Sequence, residues 1–170
     1  RTNYPLYALI VPEMVPLFLE GILTVAQEDG FLPKWLSPDE RGLMPGTLVD
    51  AVIADAVVKG LVAGEVAQKL YEAMLYTALE ARQGGADYGR LGYLPASYSE
   101  SVNKSLDYAY SDFCISQVAQ ALGDYERAKD YRQQSLNYRH LFDEETGLMR
   151  AKDQAGHFLD GFVSRTWGGP

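Results

Sequence analysis

The sequence predicts an all-α fold, specifically part of an (α/α) toroid of antiparallel helical hairpins with long loops at one end. Five helical segments alternate between nearly all-apolar and half-polar composition, which indicates an inner and an outer layer. Connections after the second and fourth segments are short, whereas those after the first, third and fifth are long. In an up-and-down array this alternation places every long loop at the same end. We therefore expect one partial domain over residues 1–170, with its site at the long-loop end.

Four of the helices follow from apolar spacing and from their end signals. The first covers residues 13–27, with prolines in its first turn, where proline is tolerated. The second covers residues 47–59 and is apolar almost all round, which is typical of an inner helix. The third covers residues 65–82, with one apolar stripe, and the fifth covers residues 125–140 and is rich in charge. Both are therefore placed in the outer layer, and the rest of the chain reads as turns and short extended pieces.

The fourth helix, over residues 101–122, is predicted to be the central one. Its apolar residues, Tyr110 and Phe113 among them, recur at spacings of three and four. No charge occurs between Phe113 and Gly123, so we expect most of its circumference to be buried. It directly follows Glu100.

Polar residues before three helices are expected N-caps, because their side chains can accept hydrogen bonds from exposed N–H groups. Thr47 precedes the second helix, and Asp124 precedes the fifth. Either Ser99 or Ser101 is expected to cap the central helix.

One short sequence occurs twice. GFLP at residues 30–33 resembles GYLP at residues 92–95, and the two lie in matching places of long loops ahead of inner helices. The echo favours a toroid of hairpins, although a tandem solenoid is not predicted because the helix lengths are uneven.

Composition limits the functions. A net charge of −8 and a pI near 4.7 argue against a nucleic-acid surface. The lone Cys114 is expected to be a buried thiol without a disulfide partner in the chain. His140 and His157 lack ligand spacing, so we expect no metal site from this chain alone. No apolar run is long enough to span a membrane, and the terminal sequences suggest a fragment.

The long loops are expected to place five residues on one rim: Trp35, Thr47, Glu100, Arg150 and Trp167. Glu100, at the mouth of a buried helix, is the leading candidate for acid–base chemistry. The alternative is a first-turn glutamate that stabilises the helix dipole. Trp35 is either a stacking platform for a sugar ring or a packed rim residue.

Three carboxylates lie on the predicted inner helices: Asp50, Asp55 and Asp112. Buried carboxylates are usually hydrogen-bonded or paired with Arg or Lys from neighbouring elements. We therefore expect a structural role for them.

Several longer segments occur together in one order: PLYALIVPE, LPKW, MPG, VIADAVVKG, YEAM, LGYLP, ESVNKSLDYAYSDFCISQVAQALG, NYRHLFDEETGLMR and a closing tryptophan segment. In order and spacing this set resembles glycoside hydrolase family 92, the calcium-dependent exo-acting α-mannosidases, across essentially the whole chain. The resemblance implies an (α/α) toroid catalytic domain that hydrolyses terminal α-linked mannose, of the α-1,2 type, with inversion.

The resemblance also implies residue roles. The glutamate that opens the family's E-x-V-x-K motif is the general acid, and here that residue is Glu100, while Lys104 falls on the motif's lysine. Trp35, Thr47, Lys104 and Arg150 are expected near the sugar. The catalytic base and most calcium ligands are expected in sequence beyond this chain. The isolated chain is therefore expected to be nearly inactive.

One segment departs from the family. The family commonly reads M-x-G-D-H-A where residues 44–49 read MPGTLV, so Thr47 and Leu48 replace an aspartate and a histidine. This departure favours an alternative, a non-catalytic carbohydrate-binding or scaffold domain derived from the same fold. A third possibility is a toroid that acts on a different sugar.

The resemblance also sets expectations about partners and location. Mannose-containing glycans and the remainder of its own polypeptide are the expected partners, with self-association of the fragment through exposed apolar flanks. The family implies a periplasmic, secreted or cell-surface location.

Overall fold

A computed structural model of the chain describes residues 3–35, 44 and 46–165. Within these ranges lie seven α-helices: α1 (Asn3–Ile10), α2 (Val15–Asp29), α3 (Val49–Val58), α4 (Gly64–Tyr76), α5 (Gly85–Leu91), α6 (Ser101–Leu122) and α7 (Tyr125–Gln134). A π-helical turn, Thr77–Ala81, continues α4, and 3₁₀ turns lie at Pro12–Met14 and Asn137–Leu141. Strands β1 (Phe142–Asp143) and β2 (Leu148–Met149) form a small antiparallel hairpin. The predicted all-α class is confirmed.

Helix α6 is the centre of the fold. Eleven of its residues are buried, and it packs against α3, α4 and α7. In contrast, the buried residues of α7 are Ala128 and Tyr131, and most of its other side chains are polar. The apolar core between the helices includes the fully buried Leu19, Ile53 and Leu70. Helix α6 is thus an inner helix and α7 an outer one, as predicted.

Two helices, α1 and α5, are absent from the sequence-based assignment. Helix α1 has no buried residue, so no stripe of alternating apolar and polar positions marks it. Helix α5 has seven residues and buries Tyr88, whose hydroxyl donates a hydrogen bond to Asp112 of α6 over 2.9 Å. The contact that holds this short helix against α6 joins residues distant in sequence, so the local sequence does not reveal it.

The N-cap predictions have mixed outcomes. Asp124 caps α7, because its carboxylate accepts the N–H of Arg127 at 3.2 Å. Thr47 does not cap α3, whose N-cap residue is Leu48. Neither serine caps α6, because Glu100 itself is the N-cap residue and no side chain bonds there. Burial explains the difference at Thr47, whose hydroxyl bonds to other side chains in the core.

The burial predicted for α6 is correct for the thiol and wrong for two aromatic residues. Cys114 is buried, and burial raises the pKa of its thiol to about 12. Tyr110 and Phe113 are 51% and 36% exposed. They lie on the more exposed side of α6, a side that helical spacing alone does not distinguish.

The two GxLP sequences adopt the same local structure. In each, the glycine ends a helix with positive φ (84° at Gly30, 77° at Gly92), and the leucine is fully buried. The Leu32 N–H donates to Oγ1 of Thr77 over 2.9 Å, and the Leu94 N–H donates to Oγ of Ser105 over 2.8 Å. The repeated GxLP sequence is therefore a repeated structural motif, in which the leucine N–H of a loop donates a hydrogen bond to a hydroxyl on a helix.

Among the described residues, no single helix has the length and apolar character needed to cross a membrane. By those two criteria one pair, Asn3–Ile10 with Pro12–Asp29, qualifies jointly, and it is bent by 116°.

Candidate functional site

Glu100 lies at the start of α6 in a left-handed backbone conformation. Its φ of 55° and ψ of 37° are unusual for a residue with a side chain, and such a conformation costs roughly 1–2 kcal/mol. Its side chain is exposed, whereas the next residue, Ser101, is fully buried. The backbone therefore turns sharply at this point and leaves one carboxylate outside the mouth of a buried helix. Backbone strain of this kind concentrates at functional sites.

Lys104 holds the peptide that precedes Glu100. Its ammonium donates hydrogen bonds of 2.7 Å to the Ser99 carbonyl and to Oε1 of Gln83. Gln83 follows the π-helical turn after α4, so this contact joins the Glu100 turn to a second element. Lys104 is thus close to Glu100, while its predicted contact with a sugar stays a prediction.

Arg150 lies in the hairpin region and is held from several sides. Its guanidinium donates to Asp143 over 2.8 Å and to the Leu159 carbonyl over 2.6 Å, and it lies 5.3 Å from the ring centroids of Phe158 and Phe162. The hydrogen bonds from Thr146 and Arg150 lower the pKa of Asp143. Arg150 therefore orders the hairpin region, and its predicted contact with substrate stays a prediction.

The hairpin region adjoins the loop that leads to Glu100. The Ala96 N–H donates to the Lys152 carbonyl over 2.7 Å, and the Tyr93 hydroxyl donates to the Asp153 carbonyl over 2.9 Å. The structure thus brings the Glu100 loop and the segment after Arg150 together, as the common rim requires.

Trp35 lines an open cleft of about 600 Å³ together with Lys34, Met44, Gly46 and Leu48. Its side chain is 47% exposed. An indole that is half exposed beside a cleft can stack on a sugar ring, whereas a fully packed one cannot. The stacking role of Trp35 stays a prediction, and Trp167, its predicted neighbour on the rim, lies outside the described residues.

Thr47 lies inside the core rather than on the rim surface. It is 3% exposed, and its hydroxyl donates to Oδ2 of Asp50 over 2.9 Å and lies 3.1 Å from Oγ of Ser111. Ser111 is eleven residues after Glu100 on α6, which is about 16 Å along the helix axis. The structure therefore does not bring the Thr47 hydroxyl to Glu100, and its predicted sugar contact has no support from this geometry.

The glycine of MPG explains how this segment reaches α6. Gly46 has φ of 74°, and a Cβ built on it would lie 2.5 Å from Cβ of Asp107. Any other residue would meet α6 and strain the backbone. Gly46 therefore sets the close approach that buries Thr47.

Sequence reasoning did not identify Arg82 as the centre of a buried polar cluster. Its guanidinium donates to Oδ1 of Asp112 over 2.6 Å, and Tyr88 donates to the other oxygen of that carboxylate. The guanidinium also lies over the Tyr108 ring, 4.9 Å from its centroid. The sequence predicted a partner for the buried aspartate without naming it, because Arg82 is thirty residues distant and ends an outer helix. Asp112 is therefore structural, as expected.

Asp50 is a fully buried carboxylate next to this cluster. Burial raises its pKa from 3.8 to about 7, although the charge of Arg82 and the hydroxyls of Thr47 and Ser111 act in the opposite direction. Asp55, by comparison, is partly exposed and paired with Lys59 over 2.8 Å. Asp50 is therefore a group whose ionisation opposes folding near neutral pH.

Asp50→Asn is expected to make the chain less sensitive to pH. Between about pH 4 and 7 the unfolded state has released the Asp50 proton and the folded state has kept it, so stability falls as pH rises. The variant removes this loss, and its stability relative to wild type should rise by about 1.4 kcal/mol per pH unit in that window. Hydrogen exchange of α3 peptides in the complete protein, corrected for intrinsic exchange rates, measures it. Asp55→Asn is the control on the same helix, and parallel pH profiles for wild type and Asp50→Asn would contradict the prediction.

A calcium centre needs several oxygen ligands around one point. Within residues 3–35, 44 and 46–165, no three acidic, histidine or cysteine side chains converge closely enough to hold a metal ion. The described part of the chain does not by itself fit a calcium centre.

The alternating helical layers, with a strained glutamate at the mouth of the central inner helix, define part of an (α/α) toroid domain. The profile of the "Glycosyl hydrolase family 92 catalytic domain" matches residues 1–169. The chain belongs to this family.

Solved structures agree with this assignment. The family GH92 inverting mannosidase BT2199 from Bacteroides thetaiotaomicron VPI-5482 shares 36% identity with a TM-score of 0.95, over 100% of this chain and 24% of its own. The alpha-mannosidase BT3965 from Bacteroides thetaiotaomicron, solved with mannoimidazole, shares 31% identity with a TM-score of 0.89, over 96% of this chain and 22% of its own. The BT3965 structure without mannoimidazole in its description shares 30% identity with a TM-score of 0.91, over 98% of this chain and 23% of its own. The chain thus spans about a quarter of these proteins. No curated protein matched it.

Proposed function

We propose that the protein to which this chain belongs is an exo-acting α-mannosidase that removes terminal α-linked mannose, of the α-1,2 type, with inversion, and that Glu100 is its general acid. The observation that carries the proposal is the strained, exposed position of Glu100 at the mouth of a buried helix. Family membership supports the reaction class, and the two related Bacteroides proteins are described as mannosidases.

In the proposed reaction the Glu100 carboxylic acid donates its proton to the glycosidic oxygen as the bond from C1 breaks. A water molecule attacks C1 from the opposite face, and a second carboxylate takes a proton from that water. Inverting glycosidases hold the two carboxyl groups about 6.5–9.5 Å apart so that the water fits between the base and the sugar. We expect the base from sequence beyond this chain, so this chain supplies half of the catalytic pair.

Other residues of the chain would orient the acid and the sugar. Lys104 holds the Ser99 carbonyl and so restricts the turn on which Glu100 lies. Trp35 would offer a ring face to the apolar C–H surface of mannose. Calcium dependence, with ligands from elsewhere in the protein, and a periplasmic, secreted or cell-surface location are further parts of the proposal that rest on the family resemblance.

Proton NMR of freshly mixed enzyme and the methyl α-glycoside of α-1,2-mannobiose tests the proposal, because the leaving sugar of this substrate has no free anomeric centre. We expect the complete protein to release β-mannose first, with the α-anomer following by mutarotation, because inversion reverses the configuration at C1. Methyl β-mannoside is the control and is expected to stay intact. The 170-residue chain alone is expected to be nearly inactive. Initial release of α-mannose, or robust turnover by the chain alone, would contradict the mechanism.

The alternative is a non-catalytic carbohydrate-binding domain of the same fold. The observation that favours it is the Thr47–Leu48 pair in place of the family's aspartate and histidine, because the Thr47 hydroxyl is already bonded inside the core. Calorimetry with mannobiose, with and without calcium, separates the two functions. Binding by the complete protein without any turnover would favour the alternative.

A further inference from the structure

One buried hydroxyl bonds to both ends of segment 94–101, which joins the GYLP sequence to α6. Oγ of Ser105 accepts the Leu94 N–H at 2.8 Å and donates to the Ser101 carbonyl over 2.6 Å. These two residues are the first and last of the segment 94–101, which contains Glu100. Ser105 is 1% exposed, so water cannot replace either bond without opening the core.

The segment has little other freedom. Leu94 is fully buried, and Lys104 holds the Ser99 carbonyl from the other side. The Tyr98 hydroxyl donates to Asp87 over 2.9 Å. The Glu100 carboxylate itself is exposed, so its direction depends on how firmly the backbone beneath it is fixed.

The same hydrogen bond occurs in the other GxLP motif, which indicates that the bond from the leucine N–H to a helix hydroxyl has a defined role. In the GFLP loop, Thr77 of the π-helical turn accepts the Leu32 N–H in the same way, and that loop leads to Trp35. The same arrangement thus precedes both the predicted acid and the predicted stacking residue. It also demonstrates that a threonine hydroxyl can accept this bond.

We propose that Ser105 is a positioning residue, whose hydroxyl fixes the two ends of segment 94–101 and thereby orients the Glu100 carboxylic acid toward the leaving group. The inference rests on the proposed function, because it assumes that Glu100 is the acid. Loss of the hydroxyl leaves the buried Leu94 N–H without an acceptor and allows the turn to move. Small displacements of a catalytic group lower its contribution strongly.

The test compares two substrates in the complete protein. α-1,2-Mannobiose needs protonation of its leaving group. An aryl α-mannoside of an acidic phenol does not, because the phenolate can leave without a proton. For Ser105→Ala we expect kcat/KM on mannobiose to fall about tenfold or more, and kcat/KM on the activated mannoside to stay within about twofold of wild type. A role limited to stability would lower both rates equally.

Matched variants keep the result interpretable. Ser116→Ala removes a buried hydroxyl of the same helix that donates to the Phe113 carbonyl over 2.6 Å, and both rates should stay near wild type. Ser105→Thr retains the hydroxyl and is expected to restore mannobiose cleavage. Should Ser105→Ala fail to fold, Ser105→Cys keeps the size with a weaker acceptor and carries the same test.

Glu100→Gln separates the two ways in which the test can fail. If Glu100→Gln lowers both rates equally, Glu100 is not the acid and the proposed function is wrong. If Glu100→Gln is selective for mannobiose and the Ser105 variant lowers both rates equally, or neither, the inference about Ser105 alone is overturned.

Discussion

Glu100→Gln in the complete protein is expected to lower kcat/KM for α-mannobiose by about 10²–10⁴-fold, the usual contribution of a general acid. Glutamine keeps the shape of the side chain but has no proton to give to the leaving oxygen. The left-handed backbone at position 100 and the Lys104 contact beneath it are unaffected by the change. Initial rates by NMR or coupled mannose detection measure the loss, and an unchanged rate would remove Glu100 from the mechanism.

Glu100→Gly provides a matched comparison that separates function from stability. Glycine adopts the observed φ of 55° without steric cost, so the variant should be more stable than wild type by about 0.5–1 kcal/mol. Its activity should be as low as that of Glu100→Gln, because both variants lack the carboxylic acid. Hydrogen exchange of peptides at the start of α6 measures the stability. If glutamate were kept there only to stabilise the helix dipole, glycine would instead make that region less protected.

The second large effect is expected from Arg82→Met. The variant leaves the Asp112 carboxylate buried with Tyr88 as its remaining described hydrogen-bond partner, and an uncompensated buried charge costs about 3–5 kcal/mol. We expect a lower melting temperature of the complete protein and faster exchange of α6 peptides. In the neighbouring pair Arg90–Asp87 the arginine is exposed, so Arg90→Met is the control, with a loss below about 1 kcal/mol.

A double variant tests the cause of that loss. Arg82→Met combined with Asp112→Asn removes both charges and keeps an oxygen that can accept the Tyr88 hydroxyl. It is expected to be more stable than Arg82→Met alone, because the Asp112 position then carries no buried charge without a partner. Equal stability of the two variants would indicate that Arg82 contributes by packing against the Tyr108 ring rather than by its charge.

The sequence by itself determined the layered helical class and the position of the central helix. Apolar spacing and the glycine at position 123 placed α6 correctly, because the apolar residues of an inner helix are visible in its own sequence. The repeated GxLP sequence was also readable, since glycine with positive φ and a buried leucine are local requirements. The family resemblance rested on such segments and is confirmed by the family match.

Only the tertiary structure decided which polar groups face one another. It placed the Thr47 hydroxyl in the core against Asp50 and Ser111, paired Arg82 with Asp112, and put Glu100 in a strained turn tied by Lys104. These contacts join residues from 3 to 64 positions apart. Local sequence states which side chains need a partner, whereas the packing of helices determines which partner lies within hydrogen-bonding distance.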